Sequence, residues 1–261
     1  RRIEDDPQEY AFREYRKQLY RGNPRGNQST VDSVAVITPA DLAAFHRQYF
    51  YPANILLTVT GDISRDEAVK LLSRYFPPSP PKEQPAPLPA PVIQGDGQVI
   101  LIPKATPQSI VLLGFPAPSK TTVDYYAFSI LDFVLGSGGF DSRIFREIRN
   151  NQGLAYSAGS FYKAREDYGV FSAYAMTKTE TTRKVMDTLK SIIKAAITAR
   201  LSSEEIRWAK KSITNSFLFS FVSADQIAYQ QLMLEYDRMP NDFLKRYRER
   251  IQRTSPAEIQ T

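Results

Sequence analysis

The chain has 261 residues, 42% apolar and 24% charged, with a formal net charge of +6 and no cysteine. That composition suits one large globular domain or two modest ones, each with a sizeable core. It excludes disulfides, thiolate metal sites and cysteine nucleophiles; it holds no apolar run of the ~18 residues a membrane-spanning helix needs, and its lysines and arginines are interspersed with acids, unlike the clustered basic face that nucleic acid requires.

The first residues, "RRIEDDPQEY", carry no initiator Met and no signal-peptide pattern, so the chain reads as a piece of a longer protein. From Asp6 to Tyr20, Tyr10, Phe12, Tyr15 and Leu19 recur near helical spacing, with Asp6 as N-cap and Pro7 in the first turn. A turn-rich loop, "RGNPRGNQST", follows. The next helix starts at Thr38-Pro39, with Asp41 in its first turn and an expected buried stripe of Leu42, Phe45 and Tyr49. "ANILLTVTGD" reads as a buried strand, and "SRDEAVKLLSRYF" as another capped helix.

Residues 77–91, "PPSPPKEQPAPLPAP", are more than half proline, which neither a helix nor an interior strand tolerates. An extended, semi-rigid linker over 77–97 is expected, dividing residues 1–76 from 98–261. The second part opens with two strand candidates, "QVILIP" and "SIVLLGFPAP", then a helix over 123–135, the loop "GSGGFDS" and a short helix, "RIFREIRNN". Two strands, "LAYSAGSFY" and "GVFSAYAM", precede a run of helices with stripes at Val185, Leu189, Ile192, Ala196 and at Ile206, Ala209, Ile213, Phe217. Paired strands followed by helices indicate an α+β fold. "VITPADLAAF" is echoed by "RTSPAEIQT" at the chain end, which suggests two related parts, the first lacking its beginning and the second its end.

Complete catalytic sets are absent from the sequence. His46 is the only histidine, on an amphipathic helix with no second ligand at metal spacing. A serine triad would have to use it, and no Gly-x-Ser-x-Gly elbow is present; "LGSGGFDS" lacks the Lys-Ser/Thr of a phosphate loop and reads as a flexible interhelical loop. The one suggestive juxtaposition is in "REIRNNQGLAYSAGSFY". Arg149 stands on the last helical turn, Gly153 is suited to a left-handed turn, and Tyr156 opens the next strand, on the face of Leu154 and Ala158. Taken alone, an arginine there meets the helix dipole and a tyrosine fills a sheet.

Two longer stretches change that reading. "ITPADLAAFHRQYFYPANILLTVTGDI" and "FVLGSGGFDSRIFREIRNNQGLAYSAGS" resemble, in order and spacing, segments of the inverzincin zinc peptidases of the insulinase, pitrilysin and mitochondrial processing peptidase type. The resemblance covers nearly the whole chain. It implies two homologous antiparallel-sheet-plus-helix domains, the first incomplete, with peptides enclosed between two halves. In that family zinc sits in the first half on a His-x-x-Glu-His motif, which is absent here; Glu4 is no substitute for the further glutamate ligand. Zinc is therefore expected in the catalytic half or a partner subunit, homologous and forming a homo- or heterodimer, with none held by this chain. The family's substrate-gripping Arg and Tyr match Arg149 and Tyr156, which would stand beside an open cleft. The expected role is the substrate-orienting, non-zinc-binding region of such a peptidase, inactive in isolation. The alternative is a non-catalytic peptide-binding or structural subunit, and the resemblance leans towards a bacterial periplasmic setting.

Overall fold

The computed structural model describes residues 5–76, 86–93 and 97–260. Of the segment read as a linker, residues 77–85 and 94–96 lie outside the described residues, as does Glu4. In chain order the helices are α1 (Pro7–Leu19), α2 (Val31–Ala35), α3 (Pro39–Tyr49) and α4 (Arg65–Tyr75); then β1 (Gln108–Ala117), α5 (Tyr125–Asp132), α6 (Arg143–Phe145), β2 (Ala155–Ala164) and β3 (Gly169–Lys178). Helices α7 (Thr182–Thr198), α8 (Ser203–Ser216), α9 (Ala224–Tyr236), α10 (Phe243–Arg253) and α11 (Pro256–Gln260) complete the chain. The result is a mixed architecture of helices and one antiparallel sheet, ordered β1-β3-β2, as the paired strands imply.

Two compact units emerge, and each is discontinuous in sequence. The first draws on residues 1–26, 90–217 and 242–261; the second on 27–89 and 218–241. Helix α1 thus belongs with the sheet, although it precedes the proline-rich segment, and α9 belongs with α2, α3 and α4. This grouping by contact is a different division from the one expected at 77–97.

In the first unit, β3 is the central strand and pairs with β1 from Gln108↔Lys178 to Ala117↔Gly169. One sheet face carries Phe171, Ala173 and Ala175, which join Val111, Ala158, Ile144, Ile148, Val185 and Leu189 in a buried core. The predicted stripe of α7 therefore faces the sheet. That of α8 enters a second cluster, where Ile206, Ala209 and Ile213 meet Ala127, Ile130, Val134 and Ile251. Helix α1 covers the other sheet face: the Tyr15 hydroxyl lies 2.6 Å from the Ser172 hydroxyl, and Phe12 approaches Phe161 and Tyr174 at 6.1 and 6.5 Å between centroids. The close approach requires Gly114, because a Cβ there would sit 2.4 Å from the Tyr15 hydroxyl and 2.7 Å from a Leu19 methyl.

Helix starts follow the sequence signals. Asp6 accepts from the backbone of Gln8 and Glu9, and Thr38 exchanges bonds with Asp41. The echo between "ITPAD" and "TSPAE" has matching geometry, because Ser255 and Glu258 close the same reciprocal box at α11. Other expectations are corrected. Residues 53–62 and 98–103, read as strands, join no ladder among the described residues; Leu57, Val59 and Val99 are exposed, and Leu101 is 85% exposed. A strand forms only against a neighbour that satisfies its N–H and C=O groups, and the sheet among the described residues consists of β1, β2 and β3 alone. The α3 stripe is likewise uncovered, with Phe45 56% exposed and Leu42 exposed, while Tyr49 is half-buried. The helix expected over 123–135 runs only from Tyr125 to Asp132, then widens into a π-helical turn over Phe133–Ser137.

Candidate functional site

Arg149 and Tyr156 are brought together by a short, strongly anchored reversal. Ile144 and Ile148 are fully buried and fix α6 and the π-helical turn that extends it over Arg146–Asn151, leaving Arg149 on the outer side. Both carboxylate oxygens of Glu147 accept amide bonds, from Asn151 and Gln152, each at 2.7 Å; these bonds hold its carboxyl below the usual carboxylate range. Gly153 then takes φ +61°, the left-handed conformation open to glycine. Gly153 N–H donates to Arg149 O at 3.2 Å and Leu154 N–H to Ile148 O at 2.8 Å, closing the helix end. The buried Thr177 hydroxyl on β3 donates to Leu154 O at 2.6 Å, which fixes the entry to β2.

Tyr156 sits on a β-bulge. Ala155 pairs with Thr177 and Ser157 with Met176, so Tyr156 has no partner of its own on β3. A bulge of this kind re-aims one side chain out of the regular alternation. Tyr156 is accordingly 80% exposed while Ala158 is buried.

The two predicted residues do lie side by side. The Arg149 guanidinium carbon stands 4.8 Å from the centroid of the Tyr156 ring and 4.8 Å from that of Phe145. Such cation–π contacts hold an arginine at about 0.5–1 kcal/mol each at exposed sites. Neither the guanidinium nor the Tyr156 hydroxyl has a hydrogen bond or ion pair among the described residues. The arrangement can offer a forked cation and a phenol donor to one incoming acceptor. Phe145 closes the "SRIF" run within the stretch that carries the resemblance, four residues before Arg149, but sequence alone assigns it no role. An open groove of about 880 Å³ lies against the same helix, but its lining includes Arg146, Gln152, Arg183 and Lys184 rather than Arg149 or Tyr156.

Behind β2, the carboxyl of Asp132 is buried. It accepts from the Ser160 hydroxyl at 2.6 Å, with Ser137 and the Tyr162 backbone as further donors, yet burial pushes its pKa up. A bidentate Arg143–Glu205 pair at 2.7 and 2.8 Å ties α6 to α8 and holds the Glu205 carboxyl down at about 2. Among the described residues no group of three or more His, Cys, Asp or Glu side chains is placed to hold a metal ion. The His46 ring is stacked on Phe50, 5.1 Å between centroids and 9° from parallel, which is a packing role. The described residues do not fit a zinc site.

Residues 37–213 match the model of the peptidase M16 inactive domain. A protein of Streptomyces coelicolor named as an uncharacterized zinc protease is 28% identical over 211 residues, which are 78% of this chain and 46% of that one. The chain thus spans about half the length of the curated relatives it matches. Among solved structures, the peptidase M16 inactive domain from Pseudomonas fluorescens superposes with a TM-score of 0.83 at 24% identity, over 99% of this chain and 62% of that one. A chain of complex III2 from Candida albicans gives 0.84 at 14% identity, over 99% and 63%, so the fold serves in more than one setting. With two-thirds of its length inside the family model, and with a sheet and helices that superpose on the solved inactive domain, the chain belongs to the peptidase M16 inactive-domain family.

Proposed function

We propose that this chain is the substrate-orienting, non-zinc-binding region of an insulinase/pitrilysin-type zinc metallopeptidase that hydrolyses peptides enclosed between two halves. The observation that carries the proposal is the pairing of half-buried Arg149 with exposed Tyr156, with Tyr156 lifted from its sheet by a bulge and Arg149 held over its ring. In this reading Arg149 grips a peptide carbonyl through its fork, and the Tyr156 hydroxyl donates to the oxygen on which negative charge develops as the bond is attacked. Zinc would reside in a homologous catalytic half or partner subunit. The exposed apolar side chains of α3 and of residues 56–59 in one unit, and of residues 99–102 in the other, support a role inside such a larger assembly, because clustered exposed apolar side chains mark interaction faces.

The test is elemental analysis and peptide cleavage, run in parallel on this chain and on the full-length protein. The full-length protein should hold one zinc per chain, or per heterodimer with its partner, and cleave unstructured peptides, whereas the 261-residue chain should do neither. One tightly held zinc on this chain alone would overturn the reading. A full-length assembly without zinc or cleavage would replace it with a non-catalytic peptide-binding or structural subunit.

A further inference from the structure

Phe140 is 71% exposed, so burial of its ring contributes little to folding. Its backbone is nonetheless firmly held. Gly139 turns with φ +74°, and the fully buried Ser142 donates to Gly139 O from both its N–H, at 3.0 Å, and its hydroxyl, at 2.7 Å. Gly138 is wedged, because a Cβ there would lie 2.5 Å from the Trp208 ring and 2.6 Å from Phe133 O. The loop read from sequence as flexible is therefore a fixed turn that presents one aromatic side chain.

That side chain is continuous with the candidate site. The Phe140 ring meets Phe145 edge-on, with centroids 4.9 Å apart and planes at 82°, and Phe145 carries Arg149 at 4.8 Å. Phe140, Phe145, Arg149 and Tyr156 form one strip that begins apolar and ends polar. An extended peptide advances ~3.3 Å per residue and returns to the same face every second residue. Phe145 lies 4.9 Å from Phe140 and 4.8 Å from Arg149, so a peptide carbonyl gripped at Arg149 leaves the side chain about two residues away within reach of Phe140.

We propose that Phe140 is a specificity-determining residue, receiving an aliphatic or aromatic side chain of the peptide held by Arg149 and Tyr156. The inference rests on the peptide-binding reading above and adds the class of side chain preferred. An uncharged polar residue at that position would lose water against a phenyl ring that returns no hydrogen bond, whereas leucine would gain apolar contact.

The test uses the full-length protein and a set of fluorescent extended peptides that carry Leu or Gln at each position in turn, with affinities read by anisotropy. The parent should prefer Leu about tenfold at one position, the scale of a small apolar contact. Phe140→Ala should abolish the preference at that position only, and Phe140→Leu should retain it; the exposed site makes both folded. No Leu preference in the parent, an unchanged preference in Phe140→Ala, or equal weakening at every position would each overturn the assignment. Arg149→Ala separates the two levels. If it weakens all peptides while Phe140→Ala alters no preference, the binding reading stands without this subsite; if it weakens none, both fall.

Discussion

Replacing Gly153 with alanine isolates the cost of a single backbone conformation at the turn that joins Arg149 to Tyr156. Its φ is +61°, and a Cβ there meets nothing within 4 Å, so no clash contributes. The left-handed region costs an L-residue ~1–2 kcal/mol, and the smaller entropy of alanine in the unfolded chain offsets roughly 0.5 kcal/mol of that. The expected loss is therefore about 1 kcal/mol, or about 2–4 °C in melting temperature for a protein of this size. Gly153→Asn should lose less, because asparagine enters this region more readily. Urea denaturation of parent and both variants measures the effect. The amide chemical shift of Leu154 and the carbonyl shift of Arg149 should move in Gly153→Ala, since the turn they hydrogen-bond is the element strained. An alanine variant as stable as the parent would refute the conformational argument. A loss far above about 2 kcal/mol would refute the open surroundings of the site.

Gly114→Ala should loosen α1 from the sheet, costing about 1–3 kcal/mol as an overpacked contact, because the added methyl collides with Tyr15 and Leu19; earlier proteolysis within residues 7–19 would report it, and parent-like resistance would contradict it. Asp132→Asn should change the pH dependence of stability: burial raises the folded pKa of this carboxyl above its unfolded value of ~3.9, so its stabilising contribution is complete below about pH 4 and is lost as pH rises through the folded pKa. The Asn variant, which does not titrate, should therefore compare better with the parent at pH 7 than at pH 4 in urea denaturation, and a difference that is flat or reversed would contradict this.

Much of the fold was legible because it is written locally. Asp6-Pro7 and Thr38-Pro39 start helices as capping chemistry dictates, and the apolar spacing of 185–196 and 206–213 does face the core. Where a segment needs a distant partner, the same local reading over-commits. Residues 55–60 and 99–102 have the composition of strands, but composition supplies no neighbour for their hydrogen bonds, and they stay unladdered among the described residues. The adjacency of Arg149 and Tyr156 was readable from Gly153 between them. The bulge that turns Tyr156 outward was not, because "LAYSA" alternates like any strand and the irregularity exists only relative to the register of β3. Phe140 escaped notice for a similar reason, since an exposed aromatic is indistinguishable in sequence from one bound for the core.

Steady-state kinetics of the full-length protein carrying Tyr156→Phe test the role of the Arg149–Tyr156 pair most directly. The substitution removes one hydroxyl from a side chain that is 80% exposed, so folding should be unaffected and any change is chemical. If Tyr156 donates to the developing oxyanion, kcat should fall by about 10²–10³ with little change in KM. Peptide cleavage with kcat and KM both equal to the parent's would contradict that role.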